Sequence, residues 1–237
     1  MKKDRTLYLI LTLIVASSVA VGVQGVRIEG FKGQIYNLEK KLEGLNLIHE
    51  EILLYKSIED SLFSQAGVFM KDEKVRILAR IVFRYHHKYG TNGTVPIGLD
   101  WQRILSWVEV ESAFDPKAES SAGALGLTQQ MPFTAQEGLE KYMNVKVSIE
   151  KTKEMALRPE VNLVLGLERL VEYQQRFMEL GHASPSDWKL AFSLYLWSKE
   201  SFEALLVSDE SKTPKASLKY AMDIEEKMKK YKGAKDD

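Results

Sequence analysis

The sequence contains no cysteine. That removes disulfides, thiolate metal sites, a thiol nucleophile and a Cys-linked lipid anchor together. Excess charge is also missing. Thirty-three Lys plus Arg balance thirty-three Asp plus Glu, so bulk charge gives no reason to expect a nucleic-acid partner. Histidine is scarce, at four residues. The adjacent pair His86-His87 closes a helical pattern before Gly90, where cations suit a helix C-terminus. No coherent His/Asp/Glu cluster accompanies it, and no metal or cofactor is expected. Strand alternation between hairpin turns is absent as well. What remains is 45% apolar and 28% charged residues, the balance of a chain that folds around a core. It excludes a wholly disordered or collagenous protein.

The longest stretch without charge is residues 6–26, preceded by Lys2, Lys3 and Arg5. At ~1.5 Å per residue it spans about 30 Å, the thickness of a hydrocarbon core. The positive-inside bias puts residues 1–5 in the cytoplasm and everything after the run outside it. The run reads as a transmembrane anchor. The alternative is a signal peptide cleaved near Ser18-Val19-Ala20. Either exports the rest, and the anchor places it at the cytoplasmic (inner) membrane, facing the periplasmic side.

Residues 27–71 read as a helical stem. Ile28, Phe31, Ile35, Leu38, Leu42 and Leu45 recur at steps of three and four, with Lys and Glu between. Such a stem is expected to pack on the domain or to self-associate weakly. Helical patterns follow at 72–89, 101–113, 133–141, 149–155, 161–180, 187–198 and 217–231, so the fold class is all-α. A domain over 72–212 and a C-terminal helix with a charged, solvated tail over 213–237 complete the expected organisation.

One carboxylate stands on an apolar face. In the helix from Trp101, which Asp100 is placed to cap, Ile104, Val108 and Glu111 fall within about 60° of one another. Glu109 lies about 160° from Glu111 and is expected in solvent. A carboxyl drawn into apolar surroundings has its pKa raised and can act as a general acid near neutral pH. Asp115, next before Pro116, reads as a turn residue. Gly123 and Gly126 follow within four positions, where backbone can approach a ligand or another segment.

The stretch Glu111-Ser112-x-Phe114-x-Pro116-x-Ala118-x-Ser120-x-x-Gly123-Ala124-x-Gly126-Leu127-x-Gln129-x-Met131-Pro132-x-Thr134-Ala135 closely resembles the signature of the soluble-lytic-transglycosylase (SLT) type of lytic transglycosylases. Pro159-Glu160-x-Asn162, Gly166 and Leu170 resemble the family's next helix, so the likeness covers residues 72–206. It implies a lysozyme-like, mainly helical fold. It also implies cleavage of the β-1,4 bond between N-acetylmuramic acid and N-acetylglucosamine in peptidoglycan, with formation of a 1,6-anhydromuramoyl end. By motif position Glu111 is the single catalytic acid/base. Ser120, Gln129 and Met131 line the glycan groove, and Ser112 helps hold the acid. Late in the domain the family carries Ala-Tyr-Asn-Ala-Gly. This chain keeps Tyr195 there but has Leu196 for the Asn and Ser198 for the Gly, and Arg169 stands where an aromatic is common. Trp101, Trp107, Trp188 and Trp197 are candidates for a sugar-stacking surface. The expected partners are glycan strands, the membrane through residues 6–26, and for the stem either another copy or an envelope assembly. The rival readings are a hydrolytic muramidase of the same fold and a non-catalytic glycan-binding scaffold.

Overall fold

The computed structural model describes residues 26–195 and 215–233. The expected membrane segment and the residues Leu196, Trp197 and Ser198 lie outside that range. No helix among the described residues is long and apolar enough to cross a membrane. The described elements are helices: α1 (Val26–Ala66), α2 (Asp72–Tyr89), α3 (Trp101–Ser112), α4 (Pro132–Met143), α5 (Ile149–Ala156), α6 (Pro159–Glu179), α7 (Lys189–Tyr195) and α8 (Lys215–Gly233). Two isolated bridges, Glu119 with Leu125 and Leu125 with Gln130, are the nearest approach to a sheet.

The chain divides into two compact units, 1–53 and 54–237. In the first, the described side chains of α1 stand mostly in solvent. In the second, the last turns of α1 enter the core through Ile58, Leu62 and Ala66. This unit therefore starts well before the boundary at 72 read from the sequence, and it includes α8.

Two apolar clusters organise the unit. The larger joins α2, α3, α7, α8 and one face of α6, with Trp107, Phe177, Trp188 and Phe192 fully enclosed. The smaller gathers Leu125, Ala135, Leu139, Ala156, Val161 and Leu165 from α4, α5 and the start of α6. Helix α6 serves both because its apolar residues wrap more than one face. Leu163, Leu167 and Leu170 enter the larger cluster, Val161 and Leu165 the smaller. The segment 113–131, between α3 and α4, runs along the seam.

Trp101, Trp107 and Trp188 are buried, so none of the three is a sugar platform. The Trp188 indole is spent on the carbonyls of Ile97 (3.0 Å) and Pro185 (3.2 Å). Asp100 occupies the cap position of α3 but does not cap with its side chain. It accepts instead from the Thr91 amide and hydroxyl, 2.9 and 2.7 Å away, with His86 at 3.5 Å. Burial works against its charge, but His86 beside it and the hydrogen bonds from Thr91 outweigh it and bring the carboxyl down to about 2. His86 is thus part of a loop-fixing pair rather than a solvated cap.

Candidate active site

Helix α3 brings Glu111 to the seam in its last turn. Two consecutive left-handed residues, Ala113 (φ 50°) and Phe114 (φ 66°), stop the helix there. The Phe114 ring is buried, which anchors the turn. Asp115 accepts from the Lys117 amide at 2.8 Å, the turn role read from the sequence.

Glu111 is half-buried. Its Oε1 accepts from the Trp107 indole N–H at 3.2 Å and from the Tyr220 hydroxyl. The Trp107 N–H also lies 3.1 Å from the Tyr220 oxygen, so indole, phenol and carboxyl form a closed triangle. Desolvation raises the Glu111 pKa from 4.5 to about 7, while the two hydrogen bonds pull it back toward the charged form. Glu111 thus lies in largely apolar surroundings, where its position on the α3 wheel places it.

The Trp107 edge meets the Tyr195 ring at 5.0 Å between centroids, with the planes 86° apart. The Tyr195 hydroxyl donates to the Thr128 carbonyl at 2.6 Å and is also hydrogen-bonded by the Gln130 amide. Burial, with the charge of Glu111 nearby, pushes the Tyr195 phenol well up, so it stays protonated. Glu111, Trp107, Tyr195, Gln130 and Thr128 therefore form one connected wall.

The other residues singled out from the sequence hold this wall in place. The Ser112 hydroxyl lies 2.9 Å from the Leu127 carbonyl and 3.2 Å from that of Val108, tying the end of α3 to the 120s loop. Ser120 accepts from the Ala124 amide at 3.0 Å and shapes the turn around Gly123. Gln129 has a left-handed backbone (φ 47°), and its amide donates to the carbonyls of Gly126 (3.0 Å) and Ala118 (3.3 Å). The neighbouring Gln130 is the one that faces Tyr195. Met131, with 43% of its surface exposed, remains open to a ligand. Arg169 donates to the Thr134 carbonyl at 3.0 Å, bracing the first turn of α4.

Beneath the loop, Asn162 is fully buried. It donates to the carbonyls of Leu125 (2.8 Å) and Ala156 (2.7 Å) and accepts from the Thr128 amide (2.7 Å) and hydroxyl (2.8 Å). Gly126 has φ +74°, and a Cβ there would meet the Asn162 amide nitrogen at 2.5 Å. A Cβ on Gly166 would meet both the Trp107 ring and the Thr128 hydroxyl at 2.6 Å. These two glycines let α6 press against the wall that carries Glu111.

Two expectations fail on the same helix, α8. Glu109 is not in solvent. It accepts from Lys227 (2.7 Å), the Tyr231 hydroxyl (2.7 Å) and Lys230 (3.4 Å). Burial opposes its charge, but the bonds from Lys227 and Tyr231 outweigh it and lower its pKa. Lys227 and Lys230 are accordingly ion-pair partners rather than part of a solvated tail. Arg103 adds an ion pair with Glu225 at 3.1 Å. Sequence reading missed Tyr220 altogether. The available signal was the stripe Ser217, Ala221, Ile224, Met228 and Tyr231, whose helical spacing marks a packed face with Tyr220 at its edge.

Among the described residues, no group of three or more His, Cys, Asp or Glu side chains is arranged to hold a metal ion.

Residues 94–195 match the family model described as the Transglycosylase SLT domain. Among solved structures, the chain is similar to an inactive mutant of lytic transglycosylase Slt from Pseudomonas aeruginosa, at 19% identity and TM-score 0.45, covering 84% of this chain and 34% of that one. It is also similar to the 70-kDa soluble lytic transglycosylase from Escherichia coli (16% identity, TM-score 0.46), covering 79% and 31% of the two chains. The 70-kDa enzyme in complex with bulgecin A gives 18% identity and TM-score 0.48, with coverage of 84% and 35%. The chain thus spans about a third of the length of each of these structures. No curated protein matches it.

Proposed function

We propose, from the match of residues 94–195 to the Transglycosylase SLT domain, that this chain is a peptidoglycan lytic transglycosylase with Glu111 as its single acid/base. The observation that carries the proposal is the state of Glu111. It is half-buried, raised to about 7 by desolvation, and fixed through one oxygen by Trp107 and Tyr220. Both bonds fall on Oε1, which leaves Oε2 to carry the proton toward a substrate.

Glycosidases of the two-carboxylate kind need their groups roughly 5 Å or 6.5–9.5 Å apart. Asp115 is engaged in its own turn, so the chemistry is assigned to one carboxyl. Protonated Glu111 donates to the glycosidic oxygen as the C1–O bond breaks. The substrate's own 2-acetamido group stabilises the oxocarbenium-like centre, as in substrate-assisted enzymes. The carboxylate then takes the proton from the muramoyl O6 as that oxygen bonds to C1. The acid is regenerated and a 1,6-anhydro ring is left. Intramolecular attack has an effective-molarity advantage over water. Tyr195, Gln130, Met131 and the turn held by Ser120 and Gln129 flank the glycan, while Ser112 keeps the carboxyl-bearing turn in register.

The uncharged run at 6–26, with basic residues before it, supports a membrane anchor that holds the enzyme on the periplasmic face. Glycan strands are then the substrate and the lipid bilayer the attachment. Replacing Glu111 by Gln keeps the shape and removes the titrating proton. Turnover of purified peptidoglycan is expected to fall at least ~10³-fold while sedimentation with the wall is retained. Activity within tenfold of the parent would refute the assignment.

A further inference from the structure

Along the first compact unit, the described residues of α1 expose apolar side chains to solvent. Leu38, Leu42, Leu45 and Ile52 expose 55, 40, 64 and 59% of their surface, and Tyr36, Leu47, Ile48 and Leu53 are exposed as well, so the seam is defined by spacing rather than by exposure. Lettered as heptads, Ile28, Ile35, Leu42 and His49 hold a positions, and Phe31, Leu38, Leu45 and Ile52 hold d positions. Seven of these eight residues are apolar. The period is 3.5 residues, which keeps a seam facing a like helix, rather than the 3.6 of a face packed on a globular core. The seam ends sharply, because the next a and d positions are Lys56 and Glu59. Beyond them the apolar residues change spacing to Ile58, Leu62 and Ala66, each four apart and buried.

The helix's glycines follow the same register. Gly30 and Gly44 hold c positions and Gly33 an f position, all on the side away from the seam. Glycine weakens a helix, so this helix gains from support outside itself.

We propose that residues 28–52 form a parallel, in-register two-stranded coiled coil with a second copy of this chain. Two features select this occupant and this sense. His49 is the single polar seam residue. Only in the parallel register does it meet the partner's His49, whereas a shift of one heptad sets it against Leu42 or Lys56. In addition, each copy carries the same uncharged run just before α1, so two anchored copies leave the membrane in the same direction. Across the flanks, Gln34 faces the partner's Glu39 and Lys41 faces the partner's Asn46. The like-charged pair, Arg27 with the partner's Lys32, sits at the frayed start. The direction rests on the anchored reading, and the seam is independent of the chemistry at Glu111.

The absence of native cysteine makes the test direct. Leu45→Cys puts a thiol at a d position, where parallel in-register strands bring the two Cα atoms within disulfide range. Leu47→Cys puts it at an f position, facing away. In the full chain, solubilised in detergent micelles and mildly oxidised, Leu45→Cys is expected to give a covalent dimer at least ~10-fold more efficiently than Leu47→Cys. Unmodified chain is expected to sediment as a dimer, and the Leu38→Asp/Leu45→Asp double variant as a monomer with unchanged peptidoglycan turnover. Equal cross-linking at both positions would overturn the proposal. So would a monomer at tens of micromolar, the outcome if the stripe lies on lipid, on its own domain or on another protein. Turnover measured in the same samples keeps a failure of the seam separate from a failure of the catalytic reading.

Discussion

Glu111 is stabilised as an acid, and that has a cost in stability. Its pKa is 4.5 when unfolded and about 7 in the fold. A group whose folded pKa is raised contributes stability fully below the unfolded value and loses it as pH climbs through the folded one. Glu111→Gln removes the titration. It should therefore leave stability near pH 4 unchanged and raise it by roughly 1–3 kcal/mol above pH 8, read as a thermal midpoint shift in the alkaline samples alone. Tyr220 acts in the opposite sense to burial, because its hydrogen bond favours the anion. In Tyr220→Phe the alkaline fall of kcat/KM should move to higher pH, with turnover at the optimum reduced by about tenfold. A reduced rate with an unmoved limb would mean that Tyr220 only fills space. The partial burial of Glu111 was legible because a helical wheel shows a carboxyl among apolar neighbours, while its proposed role came from the motif. Tyr220 was not, because a wheel drawn on α3 carries no information about a helix that arrives more than a hundred residues later.

At the scale of elements, the same limit explains Glu109. Its side of α3 looks polar and solvent-facing in sequence, yet α8 covers it with Lys227, Lys230 and Tyr231. Helix existence and extent were readable from apolar spacing, as in α2 at Asp72–Tyr89, where prediction and structure coincide. Pairing between distant helices was not. Glu109→Gln should destabilise the domain by about 1 kcal/mol at pH 7. Because the Glu109 pKa is lowered in the fold, this contribution is present above 4.5 and disappears as pH falls through the folded value. The gap between parent and variant in denaturant titrations should therefore shrink as pH falls below 4.5, and a gap that does not change with pH would contradict the ion pairs. Helix α6 depends on a missing side chain instead. Gly166→Ala drives a Cβ into Trp107 and Thr128, groups in the core and at the catalytic wall. A loss of roughly 1–3 kcal/mol is expected, with near-silent activity, since Trp107 orients Glu111. A variant as stable and active as the parent would show that the wall tolerates the shift.

Over the whole molecule, the sequence separated three regions by physics that needs no partner: an uncharged run of membrane length, a heptad stem and a compact helical domain. Their junctions were less legible. The stem's last turns belong to the domain core through Ile58, Leu62 and Ala66, and the C-terminal helix reaches Glu111 through Tyr220. Burial depends on what folds back from elsewhere in the chain, and local periodicity does not encode that. The resulting arrangement poises one carboxyl at the boundary between two apolar clusters. The chemistry at that carboxyl is the centre of the account, and the product identifies it. Purified peptidoglycan should be digested with the full chain in detergent and the fragments weighed by mass spectrometry. Fragments ending in 1,6-anhydromuramic acid, one water lighter than reducing-end muropeptides, are the predicted result. Reducing ends would contradict the intramolecular attack and assign Glu111 to hydrolysis. No release by a folded, wall-bound protein would contradict catalysis itself.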